Sequence, residues 1–430
     1  MVSAPGGQPY SDSSTLGPLL ADLARFHERT EAVVEGSHRL TYAELDRGSV
    51  ELAGRLLAMG VGKGTRVGIL LPNGTEWAMW FAAVGRIGGL ALPLSTLSQA
   101  PELAWLLRAA CVEMVVTTPA FRGHDYLARL EEAVPGLSGA SGERPLLLPA
   151  APRLRHVVVS VGADRPWVAS LPDPGVVDPD LVTEVEADVA PHDPLVVIHT
   201  SGSTADPKGV VHGHGNLIGH TATMARDYVP QSAGDRFSSP RPWFWVAGMA
   251  ADLFYCLHSG TTFVVPADGT AASIAPLVLE ERLDFVGGSL QLFRQLAADT
   301  TLSQAGVSCL PLGIDLAGIA EGGGAEDGLR FRSGALELAI PASSASSFAP
   351  ERFPNLFGMT ESLGSHAGLP HGTQVPEGRE RASGPPVPGM EHRVIDPASG
   401  LMGLDGPHLR GEDGSEPLVG QHSLGQCEKH

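Results

Sequence analysis

Short apolar runs alternate along the chain with longer segments whose apolar residues recur at helical spacing. The first clear helix begins after Thr41 and Glu44, which form the pattern of a capping box, and it ends before Gly60. Its apolar face consists of Leu45, Leu52, Leu56 and Met59. The apolar run 67–71 then predicts a short buried strand. This succession of helices and strands is typical of layered α/β proteins.

The alternation continues as far as residue 285. A helix is predicted over 75–86, and a strand over 195–198 is followed by a glycine-rich loop and a further helix. The other predicted strands lie at 90–94, 113–116 and 156–160 and around Phe237, Phe263 and Phe285.

Two segments interrupt this pattern, 134–155 and 163–193. Both are rich in Pro, Gly and Asp, which predicts connections rather than packed elements. Beyond Pro385, turn residues dominate. We therefore expect an α/β fold with two αβ subdomains of mainly parallel sheets in a layered arrangement, plus a reduced β subdomain. The expected divisions are 1–185, 186–355 with the glycine-rich loop, and 356–430 with an irregular tail.

Composition and charge narrow the class of protein. Hydrophobic residues make up 43% of the chain, which excludes a disordered chain. The formal net charge of −19 repels phosphate backbones and argues against a nucleic-acid-binding protein. The four cysteines lie far apart without a C-x-x-C pair, as in a reducing compartment. Neither a signal peptide nor the roughly 20 apolar residues of a membrane span is found, so we expect a cytoplasmic protein.

The densest chemical pattern is the segment 199–211, which reads HTSGSTADPKGVV. It lies between the predicted strand and a helix predicted from Gly213. Its hydroxyls, its backbone N–H groups and the ammonium of Lys208 are the donors that a phosphate needs. The spacing is not that of a Walker A loop. The alternative, a surface loop rich in Ser and Gly, is disfavoured by the apolar strand before it and the Pro-Lys-Gly sequence after it.

A second pattern, 355–362, reads NLFGMTES. Alone, it would be an ordinary loop into a helix with Thr360 as the cap. Together with 199–211, it resembles the adenylate-forming enzymes, which comprise acyl-CoA synthetases, luciferases and peptide-synthetase adenylation domains. Their loop reads Thr-Ser-Gly-Ser/Thr-Thr-Gly-x-Pro-Lys-Gly, and here Ala205 replaces the glycine before the variable position. The resemblance covers about residues 41–397 and implies the fold of the large N-terminal domain of acyl-CoA synthetases.

The resemblance implies nucleotide-binding roles for the loop and for a second segment. The β- and γ-phosphates of ATP would be held by Thr200, Ser201, Gly202, Ser203, Thr204 and Lys208. Phe357 would stack on adenine, because a purine favours an aromatic face. The same cofactor-binding set includes Gly358 and Met359, and Gly334 and Ala335 match a backbone loop that lines the adenine site.

Three of the matching residues are the candidate catalytic residues: Lys208, Thr360 and Glu361. In the family, Thr360 would contact the α-phosphate and Glu361 would help to hold Mg²⁺, a hard cation that prefers carboxylate oxygen. Positioning and charge neutralisation are most of what such a transfer requires.

The segment 242–249 resembles the start of the helix that lines the acyl pocket in the family. Trp243, Trp245 and Met249 are the candidate substrate-binding residues, and Trp245 stands where most acyl-CoA synthetases carry a histidine. Plain packing in the core is the open alternative for these side chains. No acid or base is among them, and Asp252 is the nearest acid, so an aryl or fatty acid is favoured over an amino acid.

Two other kinds of chemistry find little support. His212 and His214 form an H-x-H pair without a third ligand at a suitable spacing, which is a weak basis for a metal site. A G-x-S-x-G nucleophile elbow is absent from the sequence, so a serine hydrolase is not indicated.

The resemblance stops near the C-terminus. The family's ribose-binding Thr-Gly-Asp motif, its hinge and its mobile domain with a catalytic lysine are not found, and Lys429 is the only lysine after Lys208. Electrostatic groups of that kind are typically worth several kcal/mol in the transition state. We therefore expect slow catalysis if the chain acts unassisted.

Three functions are consistent with the sequence. The first is a Mg²⁺- and ATP-dependent ligase that converts a carboxylic acid to acyl-AMP and passes the acyl group to coenzyme A or a carrier-protein thiol. The second is a half-enzyme that uses an acyl-adenylate made elsewhere, with a partner protein that supplies a lid. The third is a non-catalytic protein that binds nucleotides or acyl groups.

Overall fold

The computed structural model describes most of the chain up to residue 307 and shorter segments after it. The described residues are 2–3, 9–160, 162, 164–200, 207–229, 231–307, 309–310, 314–315, 330–333, 336–339, 356–370, 373 and 384–391. None of the helices in these ranges is long and apolar enough to cross a bilayer.

The α-helices of the described residues are α1 Leu16–Phe26, α2 Tyr42–Ala58, α3 Thr75–Arg86, α4 Ala100–Ala109, α5 Tyr126–Ala133, α6 Pro179–Ala187, α7 His214–Asp227, α8 Tyr255–Ser259, α9 Ala271–Glu280, α10 Leu290–Ala297 and α11 Thr300–Gln304. Short 3₁₀ turns cover Leu137–Gly139 and Thr360–Ser362, and a π-helix, Ala247–Phe254, runs directly into α8.

The strands are β1 Val2–Ser3, β2 Pro9–Tyr10, β3 Glu31–Glu35, β4 His38–Thr41, β5 Arg66–Leu70, β6 Leu90–Pro93, β7 Met114–Thr117, β8 Ala120–Phe121, β9 His124–Asp125, β10 His156–Val159, β11 Pro194–Thr200, β12 Lys208–Gly213, β13 Arg236–Ser238, β14 Thr262–Val265, β15 Phe285–Val286, β16 Cys309–Leu310, β17 Ile314–Asp315, β18 Arg330–Ser333, β19 Leu336–Ala339, β20 Phe357–Met359 and β21 Gly364–Ala367.

Two large sheets dominate the fold, and both are mainly parallel. The first has the order β10-β7-β5-β6-β11-β12, in which only the β11–β12 pair is antiparallel. The second has the order β15-β13-β14-β3-β4, in which only β3–β4 is antiparallel. A smaller antiparallel sheet, β16 to β19, follows in the chain. The predicted α/β class with mainly parallel sheets is confirmed.

The inner strands of the two sheets are buried on both faces, which explains their uninterrupted apolar sequence. Along β5, Val67 and Ile69 belong to the central core with α1, α2 and α3, whereas Leu70 packs on the outer side with α4 and α5. The second sheet alternates likewise: Phe263 faces the central core and Val264 faces α9 and α10. The molecule is therefore built of helical layers on both sides of each sheet, with one helical layer shared between them.

Local signals predicted helices α2 and α3 well. Thr41 accepts a hydrogen bond from the Glu44 N–H, and the Glu44 carboxylate accepts one from the Thr41 N–H, so the capping box is confirmed. Helix α3 has the predicted bounds. The prediction that 163–193 is a connection without packed elements is wrong, because it contains α6 and the buried Trp167. Segment 134–155 likewise packs, with Leu137 and Leu154 in the outer core.

The two sheets exchange strands across residue 186, where the sequence predicts the first division between subdomains. Strands β11 and β12 follow that residue but complete the first sheet, and β3 and β4 precede it but complete the second. Parallel pairing requires long connections, so a strand can join a sheet far from its neighbours in sequence. The proposed division therefore does not coincide with a change of sheet.

Candidate functional site

The predicted phosphate loop joins two paired strands. Strand β11 ends at Thr200, β12 begins at Lys208, and these two residues are partners across the antiparallel pair. The loop therefore leaves the first sheet at the carboxyl end of β11, the edge at which open α/β sheets bind ligands. Its central residues Ser201, Gly202, Ser203 and Thr204 lie outside the described part of the chain.

Strand β12 has one face that links the two sequence motifs. Lys208 is exposed, whereas Val210 and His212, which follow on the same face at period two, are buried. The Nε2 atom of His212 lies 2.8 Å from the carbonyl oxygen of Thr360. The structure thus brings Lys208 and the Thr360 turn to the same face of one strand, although 148 positions separate His212 from Thr360.

Thr360 and Glu361 lie in a tight turn between β20 and β21. The Ser362 hydroxyl donates to the Gly364 carbonyl at 2.8 Å and accepts from the Met359 N–H at 3.3 Å. Leu363 has a φ of 61° and is buried in the central core. A bulky residue adopts this left-handed conformation only under strong constraint, and the buried leucine side chain supplies that constraint. The turn is therefore stabilised by the hydrogen bonds of Ser362 within it and by the packing of Leu363 in the core beneath it.

The charged candidates are available to a ligand. Glu361 and Lys208 are exposed, and within the described residues neither side chain forms a hydrogen bond or an ion pair. Thr360 is partly buried, so the turn shields its backbone while the carboxylate next to it remains open to solvent. The arrangement offers one positive and one negative group for a ligand that carries both phosphates and a cation.

Helix α7 supports the turn from a second side. His220 lies near the backbone of Ser365 on β21, and burial, with His212 and His366 nearby, lowers the pKa of His220 to about 4. A neutral imidazole thus packs under the hairpin at ordinary pH. Tyr228, just after α7, lies next to Gly368 at the end of the hairpin, where a Cβ would be 3.5 Å from its ring.

A magnesium site built from protein ligands alone is not found in the described residues, since they hold no group of three His, Cys, Asp or Glu side chains arranged for a metal ion. Glu361 still fits the ion, because Mg²⁺ is commonly held by one or two carboxylates together with substrate phosphates and water. His212 and His214 are each engaged elsewhere: His212 contacts Thr360, and the His214 Nδ1 accepts from the Leu16 N–H at 3.2 Å.

The predicted acid-binding residues separate into two groups. Trp243 and Met249 have no exposed surface; the Trp243 ring packs against Trp77 and Phe263 with centroid distances of 5.4 and 5.0 Å. Their placement favours the core-packing alternative. Trp245 is 49% exposed and remains free to contact a substrate.

The sequence did not reveal the partner of Asp252. This carboxylate is fully buried in the π-helix and accepts a hydrogen bond from Nε of Arg241 at 2.9 Å and a second from the same guanidinium. Burial raises the pKa of Asp252, and the attraction of Arg241 opposes that rise. Asp252 is therefore already paired and is not free to receive a substrate amine.

A second feature that the sequence analysis missed is Asn73, just after β5. Its side-chain oxygen accepts from the Trp243 N–H and its amide nitrogen donates to the Arg241 carbonyl, each at 2.8 Å. The carboxyl end of the first sheet is thereby tied to the segment that leaves the second. An Asn in a Pro-Asn turn is a common local pattern, so its long-range partners carry no sequence signal.

Some predicted residues cannot be placed. Gly334 and Ala335 lie outside the described residues, and only the backbone of Phe357, in β20, is described. Gly358 approaches the Gly364 carbonyl so closely that a Cβ would lie 2.0 Å from it, which explains the glycine on structural grounds. Met359 starts the turn.

Comparison with known proteins identifies a family for the chain. The AMP-binding enzyme family matches residues 20–412. The long-chain-fatty-acid–CoA ligase FadD13 of Mycobacterium tuberculosis (strain ATCC 25618 / H37Rv) is 29% identical over 279 residues, 64% of this chain and 49% of the relative. The mitochondrial medium-chain acyl-CoA ligase ACSF2 of Homo sapiens is 26% identical over 340 residues, 73% of this chain and 54% of the relative. The chain spans about half the length of these curated relatives.

Solved structures share the architecture. The anthranilate CoA ligase AuaEII in complex with anthranoyl-AMP aligns with a TM-score of 0.64 at 17% identity, over 91% of this chain and 67% of that chain. A benzoate CoA ligase from Burkholderia xenovorans LB400 aligns with a TM-score of 0.61 at 18% identity, over 91% and 69%. With two mainly parallel sheets, a loop at the end of β11 and a family match over most of its length, the chain belongs to the AMP-binding enzyme family and has the fold of adenylate-forming enzymes.

Proposed function

We propose that this protein activates an organic carboxylic acid with ATP, forming acyl-AMP and pyrophosphate, and passes the acyl group to a thiol of coenzyme A or of a carrier protein. The observation that carries the proposal is the contact between His212 and Thr360, because it brings both family motifs to one face of β12. Neither motif alone would favour this function over a generic phosphate-binding loop.

The geometry of the strand suits a triphosphate. Strands rise about 3.3 Å per residue, so the Cα atoms of Lys208 and His212 are separated by roughly 13 Å. A lysine side chain reaching from one end and the Thr360 turn at the other leave an interval in which the phosphates of ATP would lie. Lys208 then neutralises the β- and γ-phosphates, and Thr360 contacts the α-phosphate.

In the first half-reaction, a carboxylate oxygen of the acid forms a bond to the α-phosphorus, and the bond from that phosphorus to the β-phosphate oxygen breaks. Pyrophosphate leaves with the electron pair, and positioning with charge neutralisation supplies the catalysis. Magnesium bound with Glu361 would supply positive charge to the phosphate oxygens. In the second half-reaction, a thiolate forms the thioester and AMP leaves.

An aryl or fatty acid is the proposed substrate class. Trp245 presents an exposed aromatic surface at the start of the π-helix, and Asp252, the nearby acid, is neutralised by Arg241. The relatives named above are ligases for long-chain and medium-chain acyl groups, and two structures with the same fold are benzoate and anthranilate CoA ligases. These similarities support an acid without an α-amine.

The test is the exchange of labelled pyrophosphate into ATP with a panel of benzoic, anthranilic, medium-chain and long-chain acids, with amino acids as the contrasting set. Exchange with at least one aryl or fatty acid is expected. No exchange with any acid, together with no ATP binding by calorimetry, would rule out the adenylating function. A parallel arm supplies synthetic acyl-adenylate and coenzyme A: thioester formed there, without exchange from ATP, would identify a half-enzyme instead.

A further inference from the structure

The imidazole of His212 is almost completely buried, with 4% of its surface exposed. Its Nε2 atom lies 2.8 Å from the Thr360 carbonyl oxygen, and a carbonyl can only accept, so Nε2 must carry a hydrogen. The contact is a directed hydrogen bond between a strand and a turn that are far apart in sequence.

The Thr360 carbonyl accepts two hydrogen bonds. Besides His212, the Leu363 N–H donates to it at 3.0 Å. Because a carbonyl oxygen has two lone pairs, both acceptor positions are used and the orientation of the Thr360 peptide is determined. The Cα atom of Thr360, which belongs to the same peptide plane, is positioned with it.

His212 also belongs to the element that carries Lys208. The two residues are four positions apart on β12, and the strand is paired with β11 from Lys208 to its end. His220, on the helix that follows β12, lies near the Ser365 backbone in the same hairpin. The unit formed by β12 and α7 thus contacts the hairpin on both sides of its turn.

We infer that His212 is a positioning residue: its Nε2–H holds the Thr360 turn at a defined place relative to Lys208, so that the two ends of the triphosphate site are aligned before nucleotide binds. The inference rests on the proposed function for its kinetic consequence, but its structural consequence does not require activity. Misplacement of a reacting group by about 1 Å is enough to cost 100-fold in rate.

The chain provides a matched control two residues away. His214 is fully buried, begins α7 and is also engaged with backbone, but its Nδ1 accepts from the Leu16 N–H at 3.2 Å rather than contacting the hairpin. Loss of either imidazole removes a buried hydrogen bond to the backbone. Only loss of His212 should affect the Thr360 turn.

The experiment compares wild type, His212→Leu, His212→Gln and His214→Leu. In the chain without nucleotide, hydrogen–deuterium exchange of the amides in 357–367 is measured. His212→Leu should speed this exchange about fivefold to tenfold, as expected for one lost hydrogen bond, whereas His214→Leu should leave it unchanged. His212→Gln should restore the protection, since its amide nitrogen can donate from the place of Nε2.

Kinetics of pyrophosphate exchange supply the second readout. For His212→Leu, kcat should fall about 10- to 100-fold while KM for ATP changes less than about threefold, because Lys208 still contacts the phosphates. His212→Gln should recover most of kcat. His214→Leu should keep the wild-type kcat whatever its loss of thermal stability.

Wild-type protection of the hairpin in His212→Leu, or equal behaviour of the Leu and Gln variants, would overturn the inference. If His214→Leu does not fold, the comparison of the two His212 variants still decides the outcome. If the wild type shows no exchange of pyrophosphate, the proposed function fails, and the hydrogen–deuterium data alone decide whether His212 holds the turn.

Discussion

Arg241 forms a two-pronged ion pair with Asp252, whose carboxylate has no contact with solvent. Arg241 lies in the segment between β13 of the second sheet and the π-helix, and its carbonyl also accepts a hydrogen bond from Asn73. Arg241 therefore links the π-helix, through Asp252, to the turn after β5 of the first sheet, through Asn73.

Replacement of Asp252 by Asn should destabilise the protein. The carboxylate is fully buried but the Arg241 side chain is 34% exposed and can be hydrated, so the loss should stay below the about 3–5 kcal/mol that breaking a fully buried pair typically costs. Unfolding in urea, followed by circular dichroism, measures the change. The double variant Asp252→Leu with Arg241→Met should be less destabilised than Asp252→Asn alone. A loss of unfolding free energy in the double variant equal to the sum of the losses in its two single variants would contradict the coupling.

Replacement of Lys208 by Met should weaken the proposed phosphate site. The ammonium is exposed and forms no ion pair within the described residues, so its loss should leave the fold intact while it removes positive charge from the β- and γ-phosphates. We expect kcat/KM for ATP in pyrophosphate exchange to fall about 100-fold.

Lys63→Met is the control for the Lys208 variant. Lys63 is also an exposed lysine, but it pairs with Asp193 at 2.7 Å. This change should alter the exchange rate less than twofold, since surface pairs contribute at most about 1 kcal/mol to stability. Equal losses in both variants would show that the effect of Lys208 is not specific to the site.

Replacement of Glu361 by Gln should change the magnesium dependence of the reaction. The side chain keeps its size but loses the charged oxygen that a hard cation prefers. The Mg²⁺ concentration for half-maximal pyrophosphate exchange should rise about tenfold, and Glu361→Asp should lie between the two. An unchanged magnesium curve with a reduced rate would assign Glu361 to a different role.

Acid should destabilise the protein at pH values well above the ordinary pKa values of carboxyl groups. Burial lowers the pKa of His214 and of His220 to about 4 and that of His258 to about 3, from 6.5 in the unfolded chain. Below pH 6.5 the histidines bind protons in the unfolded chain but not in the folded chain. Their contribution to the free energy of unfolding is therefore fully present above pH 6.5 and is lost as the pH falls to about 4. Each histidine adds about 1.4 kcal/mol per pH unit to the slope.

Urea unfolding at pH 7.5, 6.5, 5.5 and 5.0 measures this slope. Glu44 and Asp193 have lowered pKa values, and their contribution is lost only below their ordinary values of 4.5 and 3.8, so it lies outside this range. His258→Gln, which can keep the 2.9 Å contact to Thr221, should reduce the slope by about one proton. A slope that is the same in this variant would mean that His258 does not titrate as expected.

The sequence was sufficient for several elements with a local cause. The capping box of α2 depends on Thr41 and Glu44 alone, and the apolar runs of β5 and β11 are long enough to identify a buried strand. The helical spacing over 75–86 likewise predicted α3 with its observed bounds. The two family motifs were also readable, because each is a contiguous run of residues with a distinctive composition.

Only the tertiary structure decided which of these parts meet. Helix α3 is preceded by Gly74, which has no side chain to cap it. The first N–H of the helix, that of Thr75, donates instead to the Glu35 carboxylate of the second sheet at 3.0 Å. The local sequence likewise predicts neither the contact between His212 and Thr360 nor that between Arg241 and Asp252. Periodicity and capping report interactions within a few residues, whereas strand order and side-chain pairing depend on burial across the whole chain. The chemical parts of the site are therefore determined locally, and their alignment is a property of the fold.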